Sequence, residues 1–258
     1  MTVKIETGVI IFLDALGVSK YKQAAEFLDF FCEMKKMKIR AQYVWDKWRE
    51  KFSKEKIILP HPKIIIFQDS IIICFPDMVE KENTLHNFFA AQNWVMAAYI
   101  VAIEKKIFFR GAMSHGEYVY SESNGTVAVL GSPIVDASNY EKESEKKPEW
   151  IGVIQTEEFQ RQYLAALGQY ANVNKRDVKE IIEEYERFYV KYKVPLKTGQ
   201  KMEHYVVNWP TILHKHGTTE IKAILTEACH LAEKKDKPKY ENTLAFVQFC
   251  EDNQFFIR

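Results

Sequence analysis

Two aspartates stand where apolar segments end, and their positions constrain the fold of this 258-residue chain more than any other feature. Asp14 closes the run 8–13, which is rich in Ile, Val and Phe, and Asp69 interrupts the apolar segment 64–75. A carboxylate beside such residues cannot be buried bare, because an unpaired charge in an apolar interior is too costly. We therefore expect both segments to be strands that end at one sheet edge. Carboxylates that converge there can bind a divalent metal ion.

The spacing of apolar residues changes several times along the first part of the chain. Segments in which apolar residues recur every three or four positions are expected as helices at 19–53, 83–104 and 133–143. Short apolar runs bounded by turn residues are expected as strands at 8–13, 64–75 (a hairpin), 107–113, 117–120, 126–130 and 150–154. The order β-α-β-β-α-β predicts an α+β fold, with a ferredoxin-like split βαβ sheet and helices packed on it.

Long charged segments predominate after residue 155. Helices are expected near 156–166, 174–192 and 218–234, and one strand at 203–209. We therefore predict two parts, a catalytic core at 1–155 and a mainly helical C-terminal elaboration at 156–258. The second part is expected to pack on the core or to contribute to dimerisation.

Charge and cysteine usage exclude several classes of function. The formal net charge of +1 gives no basic excess for binding nucleic acid or a membrane surface. The four cysteines contain no C-x-x-C pair, which suits free thiols in a reducing compartment. The first residues lack the apolar stretch of a signal peptide, and no segment has the apolar length of a membrane span. A cytoplasmic protein is expected.

Four short motifs follow one another in the first part of the chain. The segment 12–17 has the form Phe-x-Asp-x-x-Gly, and 68–70 places Gln-Asp-Ser at the hairpin turn. Arg110 and Gly116 fit Arg-x-Gly-x-x-x-Gly, and 131–141 begins with Gly and ends with Glu. In this order the motifs resemble those of the catalytic domain of class III nucleotidyl cyclases. The resemblance covers well over half of the chain. The resemblance implies the class III nucleotide cyclase fold.

The resemblance also implies a metal-dependent cyclisation of a nucleoside triphosphate. In such a reaction the ribose 3′-oxygen attacks the α-phosphorus in line while pyrophosphate leaves. Asp14 and Asp69 would bind two Mg²⁺ or Mn²⁺ ions per site, with the backbone carbonyl of Ala15 as a further ligand. Leu16 and Gly17 are expected beside the substrate, where Gly17 leaves room for the triphosphate.

In the family that the chain resembles, the site forms at a homodimer interface. One protomer supplies the metal carboxylates and its partner supplies the helix that corresponds to 131–141. Arg110 and Asn139 are therefore candidate catalytic residues that contact phosphate or ribose. Asn139 stands at the position of the transition-state Arg, and an uncharged amide stabilises a phosphate less than a guanidinium does.

The base-reading positions depart from those of purine cyclases. By counting from the motifs these positions are Ile65 and Ala128, and neither side chain can hydrogen-bond to a purine. This departure, with the Phe-Arg-Gly-Ala segment 109–112, resembles the Pycsar pyrimidine cyclases of bacterial antiphage defence. The resemblance implies UTP ahead of CTP as substrate and a cyclic nucleotide that signals to a separate effector. Tyr43, on the long first helix, is expected to contact the pyrimidine.

Two other interpretations are open from the sequence. One is a purine cyclase with atypical base readout, and the other is a non-catalytic nucleotide sensor on the same scaffold. Asn139 favours the sensor, whereas the retention of both aspartates disfavours it. Lys197 and Lys201 are further candidates for reaching a triphosphate. His214 and His216 have suggestive spacing, but no partner residues complete a zinc site.

Overall fold

The protein is described from a computed structural model. The residues that the structure describes are 2–18, 21, 23–54, 61–77, 84–123, 126–142, 147–185, 188–213 and 218–255.

Eight strands and eight helices are found in these residues. The strands are β1 (Thr2–Ala15), β2 (Lys63–Phe67), β3 (Ser70–Pro76), β4 (Phe109–Ser123), β5 (Thr126–Gly131), β6 (Val153–Gln155), β7 (Tyr189–Pro195) and β8 (Lys201–Val207). The helices are α1 (Ala24–Lys54), α2 (Thr84–Glu104), α3 (Ser132–Lys142), α4 (Glu157–Asn174), α5 (Val178–Tyr185), α6 (Pro210–Leu213), α7 (Thr218–Leu231) and α8 (Lys237–Asp252).

The strand order confirms the predicted ferredoxin-like core. Strands β1 to β4 lie in the order β2-β3-β1-β4, and every neighbouring pair is antiparallel. Helix α1 connects β1 to β2 across β3, and helix α2 connects β3 to β4 across β1. This is the split βαβ arrangement of an α+β fold.

The sheet continues beyond this core. β4 pairs in parallel with the short strand β6, β6 pairs with β8, and β8 pairs with β7. β5 pairs separately with the outer part of β4. Strands on both sides of residue 155 therefore share one sheet, and the division of the chain at 155 stays a prediction.

The expected helix at 174–192 is wrong in its second half. Helix α5 ends at Tyr185, and β7 begins at Tyr189. Lys191 and Lys193 are exposed while their neighbours in β7 are more buried, which is the alternation of a strand with one wet face. Tyr and Val in this segment also favour a strand. The charged residues that precede it made a longer helix look plausible.

Helices α1 and α2 cover one face of the core sheet. The buried residues of α1 recur every three or four positions and are Met34, Met37, Ala41 and Trp45. Helix α2 is buried all round along 85–99, because it packs against α1, α4 and the sheet. Within the described part of the chain, every helix falls short of the length and apolar character that crossing a membrane requires.

Helix α8, which the sequence analysis did not predict, packs against the segment before β6. The Phe246 ring contacts the Trp150 ring edge-on, with 4.8 Å between centroids. The Ile151 N–H donates to Thr243 Oγ1 at 2.8 Å. These contacts bring the start of α8 toward the end of β1.

Candidate active site

An ion pair joins β1 to β4 at the end of the central strands. Asp14 and Arg110 are direct partners in the antiparallel ladder, which places both side chains on one face of the sheet. An Arg110 Nη2–H donates to Asp14 Oδ2 at 3.3 Å. The two side chains are only 7% and 14% exposed. Arg110 thus provides the partner that a carboxylate among apolar residues requires.

The strands approach each other unusually closely beside this pair. A Cβ atom on Gly111 would lie 1.9 Å from the carbonyl oxygen of Phe12, a separation that no real Cβ contact allows. Glycine at this position therefore lets β4 lie against β1 next to the Asp14–Arg110 pair.

Asp69 lies in the two-residue turn between β2 and β3. Gln68 before it has φ of 54°, in the left-handed region that favours glycine. The Asp69 carbonyl accepts a hydrogen bond from the Ala15 N–H at 2.9 Å. This bond ties the turn to the end of β1, and Asp14 and Asp69 line the same cleft.

The loop after β1 forms one wall of that cleft, with Ala15, Leu16, Gly17 and Val18 among its lining residues. The Leu16 N–H donates to the carbonyl of Phe108 at 2.8 Å, which fixes the start of the loop. Gly17 has φ of 83°, a conformation that few other residues adopt. The predicted residues Asp14, Ala15, Leu16, Gly17, Asp69 and Arg110 are therefore brought together.

Basic side chains from distant parts of the chain complete the cleft, which has a volume of about 420 Å³. Five basic residues line it (Arg110, Lys147, Lys197, Lys235 and Lys239), together with three acidic ones (Asp14, Asp69 and Asp236). Of the two lysines suggested by the sequence, Lys197 lines the cleft and Lys201 is not among its lining residues. The other lysines were missed, because a charged turn such as 233–239 is normally a solvated surface.

A second, aromatic hollow of about 470 Å³ adjoins the first. It shares Val18 and Asp69 with the basic cleft, and its other lining residues are Tyr21, Phe27, Phe30, Phe31 and Gln68. Asp69 therefore stands between a polar, basic space and an aromatic one.

The other predicted site residues lie elsewhere in the protomer. Asn139, on α3, lines a separate hollow of about 500 Å³ that also includes His204, whose pKa is lowered by burial. Tyr43 is exposed on α1, Ile65 is half-buried on β2, and Ala128 is exposed on β5. None of these four residues lines the basic cleft of its own protomer. His214 and His216 lie outside the described residues.

The donor set of the cleft fits a hard divalent cation. In the parts of the chain that the structure describes, no group of three or more His, Cys, Asp or Glu side chains is placed to hold a metal ion. Mg²⁺, however, is commonly bound through one or two carboxylates, with phosphate and water oxygens filling its other positions. Asp14 and Asp69 supply that number of carboxylates, beside basic residues that suit phosphate.

Comparisons with known proteins find similar solved structures. No protein-family model and no curated protein matches the sequence. A similar solved structure is the monomeric guanylyl cyclase domain of the RhoGC fusion protein from the aquatic fungus Blastocladiella emersonii. The two share 14% identity with a TM-score of 0.45, over 81% of this chain and 98% of that domain. At these values the likeness identifies neither the family nor the substrate of this chain.

Replacement of Asp69 by Asn tests the metal site without disturbing the turn. The bond from the Ala15 N–H to the Asp69 backbone carbonyl is retained, and only the carboxylate charge is lost. We expect Mn²⁺ affinity to fall about tenfold or more, because even residues that merely orient metal ligands contribute that much. Titration of Mn²⁺ followed by electron paramagnetic resonance measures the change. Asp252→Asn, at an exposed position near the end of α8, is the matched control. Equal affinities in the two variants would exclude Asp69 as a ligand.

Proposed function

We propose that this protein is a nucleotide cyclase that converts a pyrimidine nucleoside triphosphate to its 3′,5′-cyclic monophosphate and pyrophosphate. UTP is the preferred substrate, ahead of CTP. The observation that carries the proposal is the convergence of Asp14 and Asp69 on one cleft, beside the buried Arg110. The order of the motifs and the ferredoxin-like core support it.

The two adjoining hollows suit the two ends of a nucleotide. Phosphate oxygens prefer the basic cleft, where charged hydrogen-bond donors surround them. The aromatic rings beyond Asp69 offer apolar surface to the nucleoside end. The reacting centre, which joins these ends, then lies near Asp69.

During the reaction the bond between O3′ and the α-phosphorus forms while the bond to the leaving pyrophosphate breaks. The residues of the chain position these atoms. Leu16 and Gly17 lie beside the triphosphate, and Arg110 fixes the position of the Asp14 carboxylate. Asp14, Asp69 and the Ala15 carbonyl would hold two Mg²⁺ or Mn²⁺ ions. When bound, these ions activate the 3′-hydroxyl and neutralise the charge on the phosphates.

The preference for pyrimidines rests on the chemistry of Ile65 and Ala128. Neither side chain has a hydrogen-bonding group, so neither can select a purine. Tyr43 is proposed to contact the smaller base. These residues lie outside the basic cleft of their own protomer, and a partner protomer is needed to bring them to a substrate.

We expect a homodimer with two sites at its interface. Four exposed apolar residues lie on one face of the outer part of β1, β4 and β5: Val3, Ile5, Ala128 and Leu130. Ile5 and Leu130 are both opposite Val119 in the ladders, and their exposed fractions are 76% and 69%. Such apolar surface is typical of an interface. In the dimer that the resemblance implies, α3 of one protomer, with Asn139, would reach the site of the other.

The cyclic nucleotide is proposed to act as a second messenger in antiphage defence. A separate effector protein would bind it, and this chain would contribute the synthesis. That role rests on the resemblance to the Pycsar cyclases.

Product analysis tests the proposed reaction. The protein is incubated with each of the four nucleoside triphosphates and Mn²⁺, and products are identified by mass spectrometry. We expect cyclic UMP to dominate. Asp69→Ala should reduce its rate by at least about a hundredfold, since metal-ion catalysis supplies several kcal/mol. Dominant cyclic AMP or cyclic GMP would contradict the interpretation of Ile65 and Ala128. Triphosphate binding without pyrophosphate release from any nucleotide would favour the sensor, with Asn139 as its reason.

Mixing inactive variants tests the shared site. If Asn139 acts in the partner's site, a heterodimer of Asp69→Ala and Asn139→Ala protomers contains one intact site. Random exchange in a two-fold dimer should then restore about a quarter of wild-type activity. A mixture of Asp69→Ala with Asp14→Ala should restore nothing, because both residues belong to the same half-site. Equal activity in the two mixtures would contradict a site that is shared between protomers.

A further inference from the structure

Four of the basic residues in the cleft come from the later part of the chain. Lys147 lies shortly before β6, and Lys197 lies in the turn between β7 and β8. Lys235 and Lys239 belong to the α7–α8 corner, which we define as residues 232–239. Of these four lysines, only Lys197 is expected from the sequence to reach a triphosphate, and the segment 156–258 is expected only to pack on the core or to contribute to dimerisation.

The two loop lysines are joined through the backbone. The Lys197 N–H donates to the Lys147 carbonyl at 3.0 Å, and the Glu149 N–H donates to the Pro195 carbonyl at 2.8 Å. These bonds form a short ladder beside the sheet. Lys147 and Lys197 are therefore placed at the cleft by regular backbone pairing.

The α7–α8 corner is fixed by contacts at the start of α8. Asn242 Nδ2–H donates to the Glu149 carbonyl at 2.7 Å, and the Tyr240 ring contacts the Phe108 ring edge-on at 5.4 Å. The carbonyl of Phe108 accepts the Leu16 N–H that fixes the loop after β1. The corner is thus packed against the residue that holds the loop after β1.

One lysine of the corner is held in place before any ligand binds. Lys239 Nζ forms an ion pair with Asp236, and its side chain is only 12% exposed. Lys235 is more exposed: its side chain is 74% exposed and pairs with Glu233 at 3.0 Å. A fixed cation beside an exposed one can bind a flexible anion at low entropic cost.

The charges that line the cleft favour an anion larger than a single carboxylate. If Asp14 and Asp69 bind metal ions, Asp236 is the acidic lining residue that is not a metal ligand. Five basic and three acidic side chains line this space of about 420 Å³. A polyphosphate chain carries several charges along its length and can contact several of these side chains at once.

We propose that Lys147, Lys197, Lys235 and Lys239 bind the β- and γ-phosphates of the substrate in the protomer that holds Asp14 and Asp69. This assignment rests on the proposed function, and it gives the C-terminal part of the chain a direct role in substrate binding. The leaving pyrophosphate is then held by the same four lysines.

Binding of inorganic triphosphate tests this assignment without turnover. The full-length protein is titrated with triphosphate and Mg²⁺ by isothermal calorimetry. We expect Lys235→Gln and Lys239→Gln each to weaken binding roughly tenfold, because each removes a charged hydrogen-bond donor to phosphate. Lys234→Gln, at the adjacent exposed position outside the cleft lining, should change the affinity less than about twofold.

A variant that should strengthen binding distinguishes the loss of phosphate contacts from a general loss of structure. Asp236→Asn removes a negative charge from the cleft, while the Asn side-chain oxygen can still accept a hydrogen bond from Lys239 Nζ and hold it in place. We therefore expect it to strengthen triphosphate binding a few fold. A folding defect would weaken binding instead. Equal affinities in wild type, Lys235→Gln and Lys239→Gln would overturn the proposal, as would weaker binding in Asp236→Asn with an unchanged unfolding midpoint.

The same titration separates this proposal from the proposed function. Triphosphate binding that depends on the lysines, in a protein that forms no cyclic nucleotide, would support the phosphate site and contradict the cyclase. Cyclic UMP formation with no effect of the lysine substitutions on triphosphate binding would support the cyclase and overturn the phosphate site.

Discussion

The ion pair between Asp14 and Arg110 is the interaction on which the candidate site depends. It allows a carboxylate to lie at the end of an interior strand of the sheet, where an unpaired charge would be too costly. The ladder between β1 and β4 sets the two residues directly opposite each other, and Gly111 permits the close approach. Removal of either partner would leave the other charge buried, so the pair constrains both stability and the placement of Asp14.

The rest of the cleft is built outward from this point. The bond from the Ala15 N–H to the Asp69 carbonyl sets the hairpin turn beside the end of β1. The bond from the Leu16 N–H to Phe108 directs the following loop, and α8 packs on the same Phe108. Two backbone bonds and one aromatic contact therefore connect the aspartates to the lysines of the C-terminal part.

The sequence predicted those features that depend on neighbours along the chain. The strand before Asp14 and the hairpin around Asp69 followed from local apolar runs and turn residues, and their pairing followed from the order of elements. β7 was missed because the charged segment before it resembles a continuing helix. The α7–α8 corner was missed for another reason. In the sequence, Lys235 and Lys239 look like surface residues. Their place in the cleft depends on the packing of Thr243 and Phe246 against residues that are distant in the sequence.

In the proposed homodimer, each site would be divided unequally between the two protomers. Asp14, Asp69 and the four lysines proposed to bind phosphate line one cleft of a single chain, whereas Asn139 lines a different hollow of that chain. A single protomer would then bind the triphosphate and offer apolar surface to the nucleoside, and the partner would be required for base selection and for the last catalytic group. Dimerisation would control turnover more strongly than it controls triphosphate binding.

The most direct test of the central claim is anomalous diffraction from crystals grown with Mn²⁺ and a non-reactive UTP analogue. The account predicts Mn²⁺ in the basic cleft, with carboxylate oxygens of both Asp14 and Asp69 at about 2 Å from metal. Mn²⁺ bound elsewhere, or bound in the cleft without one of these two carboxylates, would contradict it.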